Sequence, residues 1–145
     1  MASASQYHVQ LVSWAAAAAQ LAVVRRRVFI EEQRVPEEEE WDGLDAQCIH
    51  AMALSADGVV IGTARLLPDG HIGRMAVLPA WRRLGVGGAL LATLLAEARR
   101  RGHPRARVNA QEHALGFYQR FGFEAHGPVF LDAGIPHRAM VREFT

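Results

Sequence analysis

The residues with the clearest chemical potential lie in one stretch, Arg82-Arg83-Leu84-Gly85-Val86-Gly87-Gly88-Ala89-Leu90-Leu91, where a glycine-rich turn runs into an amphipathic helical pattern. A helix start offers unpaired N–H groups and the positive end of the helix dipole, and glycines let an anion approach that backbone with no Cβ in the way. Each glycine inside a helix costs about 1 kcal/mol relative to alanine. Close approach by a pyrophosphate accounts for three of them in one turn. Two common phosphate loops are excluded by residue type. A loop ending in Gly-Lys-Ser/Thr needs a lysine, and all 16 basic residues here are arginine. A dinucleotide fingerprint needs a third glycine where Leu90 stands, and belongs at the start of a parallel βαβ unit. What remains is Gln/Arg-x-x-Gly-x-Gly/Ala between a strand and a helix, met by residues 82–87.

The elements that must position this loop can be read from periodicity. Tyr7, Val9 and Leu11 alternate with His8 and Gln10, predicting a strand over 7–12, with Ser13 suited to cap a helix after it. Leu21, Val24 and Val28 recur at helical spacing over 15–30, and Arg25, Arg26 and Arg27 fall off that stripe. Residues 31–42 read as a short helix or ordered loop with Pro36 at its first helical position. Three strands come next at 48–54, 59–67 and 71–78, separated by Ala56-Asp57-Gly58 and Pro68-Asp69-Gly70. They form an antiparallel meander that feeds the glycine-rich turn. The next helix carries Val86, Leu90, Leu91, Leu94, Leu95 and Ala98 on one stripe and is closed by Arg99 to Arg101, Gly102 and Pro104. A strand at 105–110, a short helix at 113–121 and strands at 123–130 and 138–144 complete the chain. The order defines an α+β fold with a mixed, mostly antiparallel central sheet of about six or seven strands flanked by helices.

A chain of 145 residues, 50% hydrophobic, is large enough for one core and short for two domains, so a single domain over 1–145 is expected. A formal net charge of +1 sets up no global field for nucleic acid or an anionic membrane. Cys48 is alone and reads as a small buried side chain. The apolar run 14–24 lacks a positive leader, is interrupted by Gln20 and is followed by arginines, unlike a signal peptide, and no stretch approaches membrane-spanning length. A cytoplasmic protein is expected. The seven histidines show no zinc-ligand spacing with Cys48, so no metal is expected.

Taken together, the loop, Val28-Phe29-Ile30-Glu31-Glu32-Gln33, Pro36 with Glu40-Trp41-Asp42, Ile72-Gly73-Arg74-Met75-Ala76-Val77, Asn109-Ala110-Gln111, and Phe117-Tyr118 with Gly122-Phe123 resemble the GNAT superfamily of acetyl-coenzyme A-dependent N-acetyltransferases, and within it the ElaA-like branch. The resemblance spans nearly the whole chain. It implies that strand 71–78 splays from strand 105–110 to form a cofactor cleft. Backbone groups of Met75, Ala76 and Val77 would meet the pantetheine amides of acetyl-CoA. The pyrophosphate would rest on amides of Leu84, Gly85, Val86, Gly87, Gly88 and Ala89, with Arg82 and Arg83 beside its charge. Asn109 and Phe117 would lie near the thiol end.

Moving an acetyl group from a thioester to an amine needs a neutral amine, an oxyanion stabiliser and an acid for the departing thiolate. By the resemblance Tyr118 is that acid, and a backbone N–H of residues 75–77 meets the oxyanion. His71, four residues before Met75, matches a position where many members carry a base, and strand alternation would put 71, 73 and 75 on one face. Glu32 is the rival base, at the lip of the acceptor pocket, where it would also contact the amine. Gln111 and His137 are expected as further acceptor contacts. The acceptor itself is a primary amine on a small molecule or peptide, selected by the loop 33–45 and the turn near Gly134. Two other classes stay open on the sequence: a non-catalytic acyl-CoA sensor, and a nucleic-acid module resting on Arg25 to Arg27 and Arg99 to Arg101. A homodimer is common among lookalikes.

Overall fold

The N-terminal alternation forms strand β1 (Tyr7–Ser13) in the computed structural model, which describes residues 6–145. Ser13 accepts a hydrogen bond from the Ala16 N–H at 3.2 Å and caps helix α1 (Trp14–Arg25). The chain then widens into a π-helix over Arg26–Glu32, in which the Gln33 N–H reaches back five residues to the Val28 carbonyl at 3.1 Å.

Arg25 departs from the expectation that it lies off the apolar stripe: it is fully buried, while Arg26 and Arg27 are exposed. Its Nε donates to Glu40 at 2.8 Å and its Nη1 to Asp45 at 2.6 Å, and its Cζ lies 5.6 Å and 5.0 Å from the ring centres of Trp14 and Trp41. A buried charge is tolerated only when it is paired and hydrogen-bonded. Its partners stand 15 and 20 residues away, beyond the reach of helical periodicity. Helix α2 (Glu37–Glu40) supplies the first of them, and Pro36 is its N-cap, one position before the expected one.

Strands β2 (Ile49–Ser55), β3 (Val60–Leu66) and β4 (Ile72–Val77) complete an antiparallel sheet in the order β1-β2-β3-β4. Helix α3 (Val86–Arg100) covers one face with the predicted stripe, and Leu90, Leu91, Leu94 and Ala98 are completely buried. The approach is close enough to require glycine in β3: a Cβ on Gly62 would stand 3.1 Å from side-chain carbons of both Leu90 and Val86. Cys48 is buried and unpaired beside this sheet.

A second antiparallel sheet contains β5 (Arg105–Gln111), β6 (Glu124–Asp132) and β7 (Ile135–Glu143) in the order β5-β7-β6, with helix α4 (Leu115–Arg120) between β5 and β6. β7 starts three residues earlier than the sequence suggests. Ala133 and Gly134 both adopt positive φ, 52° and 75°, the mark of a two-residue type I′ hairpin turn, so pairing resumes at once with Asp132 opposite Ile135. Pro136 is accommodated because β5 pairs with β7 only as far as His137.

The two sheets touch through one parallel bridge between His71 and Arg107, where the Arg107 N–H donates to the Gly70 carbonyl at 3.1 Å. Beyond it β4 and β5 belong to separate ladders. The seven strands therefore make a mixed, mostly antiparallel α+β architecture with an opening at its centre.

Candidate active site

The opening is shaped by an irregularity in β4. Leu66 pairs with Ile72 and Arg65 with Gly73, but Thr63 pairs with Ala76 and Gly62 with Val77. Two residues, Arg74 and Met75, stand opposite Ala64 alone. This is a β-bulge with Arg74 at φ 49°, and Arg74 Nη2 donates to the carbonyls of Glu39 and Glu40 at 3.3 and 3.1 Å. The extra residue reverses the alternation, so the expectation that residues 71, 73 and 75 share a face does not hold. Met75 falls with Ile72 and Val77 on the α3 side, its sulfur near Gly87, and Ala76 packs on the other side with Val24, Val28 and Phe29.

Between the parting strands lies a cavity of about 700 Å³, a size that holds a small-molecule ligand. Its wall brings together His71, Met75, Ala76, Val77, Arg82 and Gly87 from the first sheet and the α3 start. From the other side come Asn109, Gln111, Phe117, Tyr118 and His137, and Glu32 enters from the end of the π-helix. Arg83, Leu84, Gly85, Val86, Gly88 and Ala89 are not part of this wall. They continue from it along the loop and the first turn of α3, and Arg83, Leu84 and Gly85 are exposed.

The loop glycines have different reasons to be glycine. Gly85 is the N-cap of α3 with φ 85°, a left-handed conformation that other residues rarely adopt. A Cβ on Gly88 would meet the Phe121 ring at 3.1 Å, which is tight. A Cβ on Gly87 would lie at ordinary contact distance, 3.6 Å from Phe117, so packing does not demand glycine there. Gly87 is also the member of the three that faces the cavity, leaving its backbone open to a ligand. Backbone conformation or packing is thus a reason for glycine at Gly85 and Gly88 and not at Gly87.

Tyr118 is 8% exposed, packed edge-on against Phe117 and Phe123 at 5.1 and 5.7 Å. Burial pushes its phenol up to about 12, and its hydroxyl makes no hydrogen bond among the described residues. It is a neutral donor held at the cavity wall with its proton uncommitted.

At the other end of the cavity most polar groups are already engaged. Arg82 grips Glu32 through Nη1 to Oε2 at 2.7 Å and Nη2 to Oε1 at 2.6 Å. These bonds hold the Glu32 carboxyl below its ordinary value. The carboxylate of Asp69 accepts from both the backbone N–H of His71 and its Nδ1, each at 3.0 Å. Gln111 and Gln33 exchange side-chain hydrogen bonds at 3.0 and 3.4 Å, tying β5 to the end of the π-helix. His137 Nδ1 lies 2.6 Å from the Ile135 carbonyl.

Sequence reasoning gave no individual role to Arg65, Arg74, Asp69, His113 or Asp132, all of which line the cavity, and reached Glu39 only as part of the acceptor loop 33–45. Only Asp69, beside His71 in its turn, carried a local signal. Behind the wall, Arg65 donates to Asp42 at 3.0 Å and to Asp45 at 2.9 Å, continuing the buried Arg25 cluster to the cavity. Among the described residues no group of three or more His, Cys, Asp or Glu could hold a metal ion, and no helix is long and apolar enough to cross a membrane.

An open-ended cleft between two sheets, bordered by a glycine-rich helix start and an unbonded phenol, is the arrangement of an acyl-CoA-dependent acyltransferase. The profile of the family described as acetyltransferase (GNAT) domain matches residues 14–144. The uncharacterized N-acetyltransferase YjcF of Bacillus subtilis is 36% identical over 123 residues, covering 83% of this chain and 88% of the relative. An acyl-CoA N-acyltransferase from Pseudomonas aeruginosa superimposes with a TM-score of 0.82 at 33% identity, covering 92% of this chain and 98% of that one. Escherichia coli ElaA gives 0.83 at 28%, covering 95% and 100%. The chain belongs to the GNAT acetyltransferase family, and it is an N-acetyltransferase that takes its acyl group from an acyl-CoA and passes it to an acceptor.

Proposed function

We propose that this enzyme moves an acetyl group from acetyl-CoA directly to a primary amine of a small molecule or peptide. The observation that carries the reading is Tyr118: a buried, protonated hydroxyl without a protein partner, facing the space between β4 and β5. In that role it donates to the departing sulfur. A phenol near 12 is a weaker acid than an ordinary thiol near about 8.5, so Tyr118 first stabilises the developing thiolate by hydrogen bonding. The attacking nitrogen forms a bond to the carbonyl carbon as the C–S bond breaks. Of the two protons it sheds, one goes to the base and the other replaces the proton that Tyr118 passes to sulfur.

The edge of β4 that faces β5 supports an oxyanion and pantetheine role for the backbone of Met75, Ala76 and Val77, because beyond the His71–Arg107 bridge it is paired with no strand. The α3 start from Leu84 to Ala89 suits the pyrophosphate, with Arg82 and Arg83 beside it, and Asn109 and Phe117 border the thiol end. His71 is favoured as base over Glu32. Its Nδ1 faces the Asp69 carboxylate, which can only accept, so Nε2 of the neutral ring is the lone pair available for a proton. Glu32, depressed by Arg82, is a weak base and serves better as a contact for the amine, with Gln111 and His137. The test is release of free thiol from acetyl-CoA over a panel of amines, amino acids and peptides. Amine-dependent release supports the reading, and tight acetyl-CoA binding with no accepted amine removes it.

A further inference from the structure

Three arginines reach the cavity wall, and none offers a free guanidinium to an anionic acceptor. Arg82 is forked onto Glu32. Arg65 is held by Asp42 and Asp45, and Arg74 by Glu40 and Asp42, each at 3.3 Å. Two of the three cavity amides are closed as well, since Gln33 and Gln111 bond each other and His113 Nε2 lies 2.7 Å from Gln111 Oε1.

Apart from the Asn109 amide, the Tyr118 hydroxyl and the buried Nε atoms of Arg65 and Arg74, which have no hydrogen-bond partner among the described residues, the groups left over share one character. Glu39 and Asp132 line the cavity from separate elements, α2 and the end of β6, and neither carboxylate makes a side-chain hydrogen bond or ion pair among the described residues. The third is Nε2 of His137. A carbonyl can only accept, so the bond to Ile135 places the proton of the neutral ring on Nδ1 and leaves Nε2 as a lone pair. That ring is 8% exposed and stacked on Phe130 at 5.8 Å, so its orientation is set by the protein. Around Glu39, Asp132 and His137 the wall leaves hydrogen-bond acceptors and negative charge unsatisfied, matched by an alkylammonium and mismatched by a carboxylate.

Resting on the acetyl-transfer reading above, we infer that the acceptor is a small di- or polyamine. Its second ammonium is held by Glu39, Asp132 and His137 Nε2 while the first receives the acetyl group, and amines that carry a carboxylate are rejected.

The experiment uses the purified protein with acetyl-CoA and two isosteric sets, butane-1,4-diamine, butylamine and 4-aminobutanoate, and their six-carbon counterparts, reading free thiol. In at least one set, kcat/KM for the diamine exceeds that of the monoamine by about tenfold, the sum of two partly exposed ion pairs, and the aminocarboxylate is the poorest. The difference shrinks as ionic strength rises. The double substitution Glu39→Gln with Asp132→Asn reduces the diamine-to-monoamine ratio to within about threefold. A monoamine or aminocarboxylate that equals the diamine in both sets overturns the inference and leaves acetyl transfer standing, as does a ratio unchanged in the double variant. Absence of thiol release with all six amines overturns the inference, and acetyl transfer falls with it only if the wider panel of amino acids and peptides is refused as well.

Discussion

Arg82 and Glu32 form a two-point fork across 50 residues of sequence, joining the glycine-rich loop to the end of the first helix. Arg82 Nε also donates to the Val77 carbonyl at 3.0 Å, so one side chain links loop, helix and β4. On the proposed cofactor site, the Glu32 carboxylate and the phosphate of acetyl-CoA would compete for this arginine.

Glu32→Gln removes the first competitor. Acetyl-CoA binding should tighten by up to about fivefold, the value of a partly exposed ion pair, and Arg82→Ala should weaken it. Isothermal titration with acetyl-CoA checks both. Weaker binding in Glu32→Gln would show that the fork pre-positions Arg82 instead of occupying it.

Tyr118→Phe should lower kcat by about 10²-fold or more with acetyl-CoA affinity nearly unchanged. The phenol is neutral below its raised value, so its donor is present throughout the ordinary range and is lost only as pH climbs through about 12. The kcat profile of the native enzyme should therefore show no alkaline fall from this group near pH 10. A fall there that disappears in Tyr118→Phe would contradict the buried environment.

The loop glycines separate binding from folding. Gly87→Ala meets no close contact and should leave stability equal or improved by up to about 1 kcal/mol while acetyl-CoA affinity drops. Gly88→Ala presses on Phe121 at 3.1 Å and should lower the melting temperature. Thermal unfolding with and without acetyl-CoA distinguishes the two; equal affinity loss in both would mean that the cavity-facing glycine has no special part.

Arg25→Met leaves Glu40 and Asp45 buried without their main partner and should cost about 3–5 kcal/mol in denaturant unfolding. A loss under about 1 kcal/mol would reassign the cluster to solvent. Acid acts on the same group. Burial opposes ionisation of Asp42 and Asp45, but hydrogen bonds from Arg65 to both and from Arg25 to Asp45, with the nearby positive charges, hold both below the usual carboxylate range. Their folded-state values lie below the unfolded value near about 3.9. The stabilisation is thus fully present above that value and is lost as pH falls through the folded values. Denaturant midpoints should stay level in this respect down to about pH 5 and fall below about pH 4.

Local patterning was enough for the order and type of the elements. Periodicity in the 86–98 stripe, the turn residues around Gly58 and Gly70, and the absence of lysine depend only on neighbours in the chain, and they carried the reading as far as an anion at a helix start in a meander-fed α+β fold. Other decisions needed contacts between distant segments. Arg25 looks solvent-facing until Glu40 and Asp45 fold over it. The bulge at Arg74 arises from how β4 registers on β3, and shifting the phase by one residue moved Met75 to the opposite face from His71 and Gly73. The different reasons for Gly85, Gly87 and Gly88 depend on backbone φ and on where Phe117 and Phe121 arrive from α4. Which acids stay unpaired along the cavity was likewise a tertiary outcome. Nothing in a sequence pattern separates a carboxylate that will be forked by an arginine, as at Glu32, from one left open to the cavity, as at Glu39 and Asp132, because pairing is settled only when the sheets and helices close around the same space.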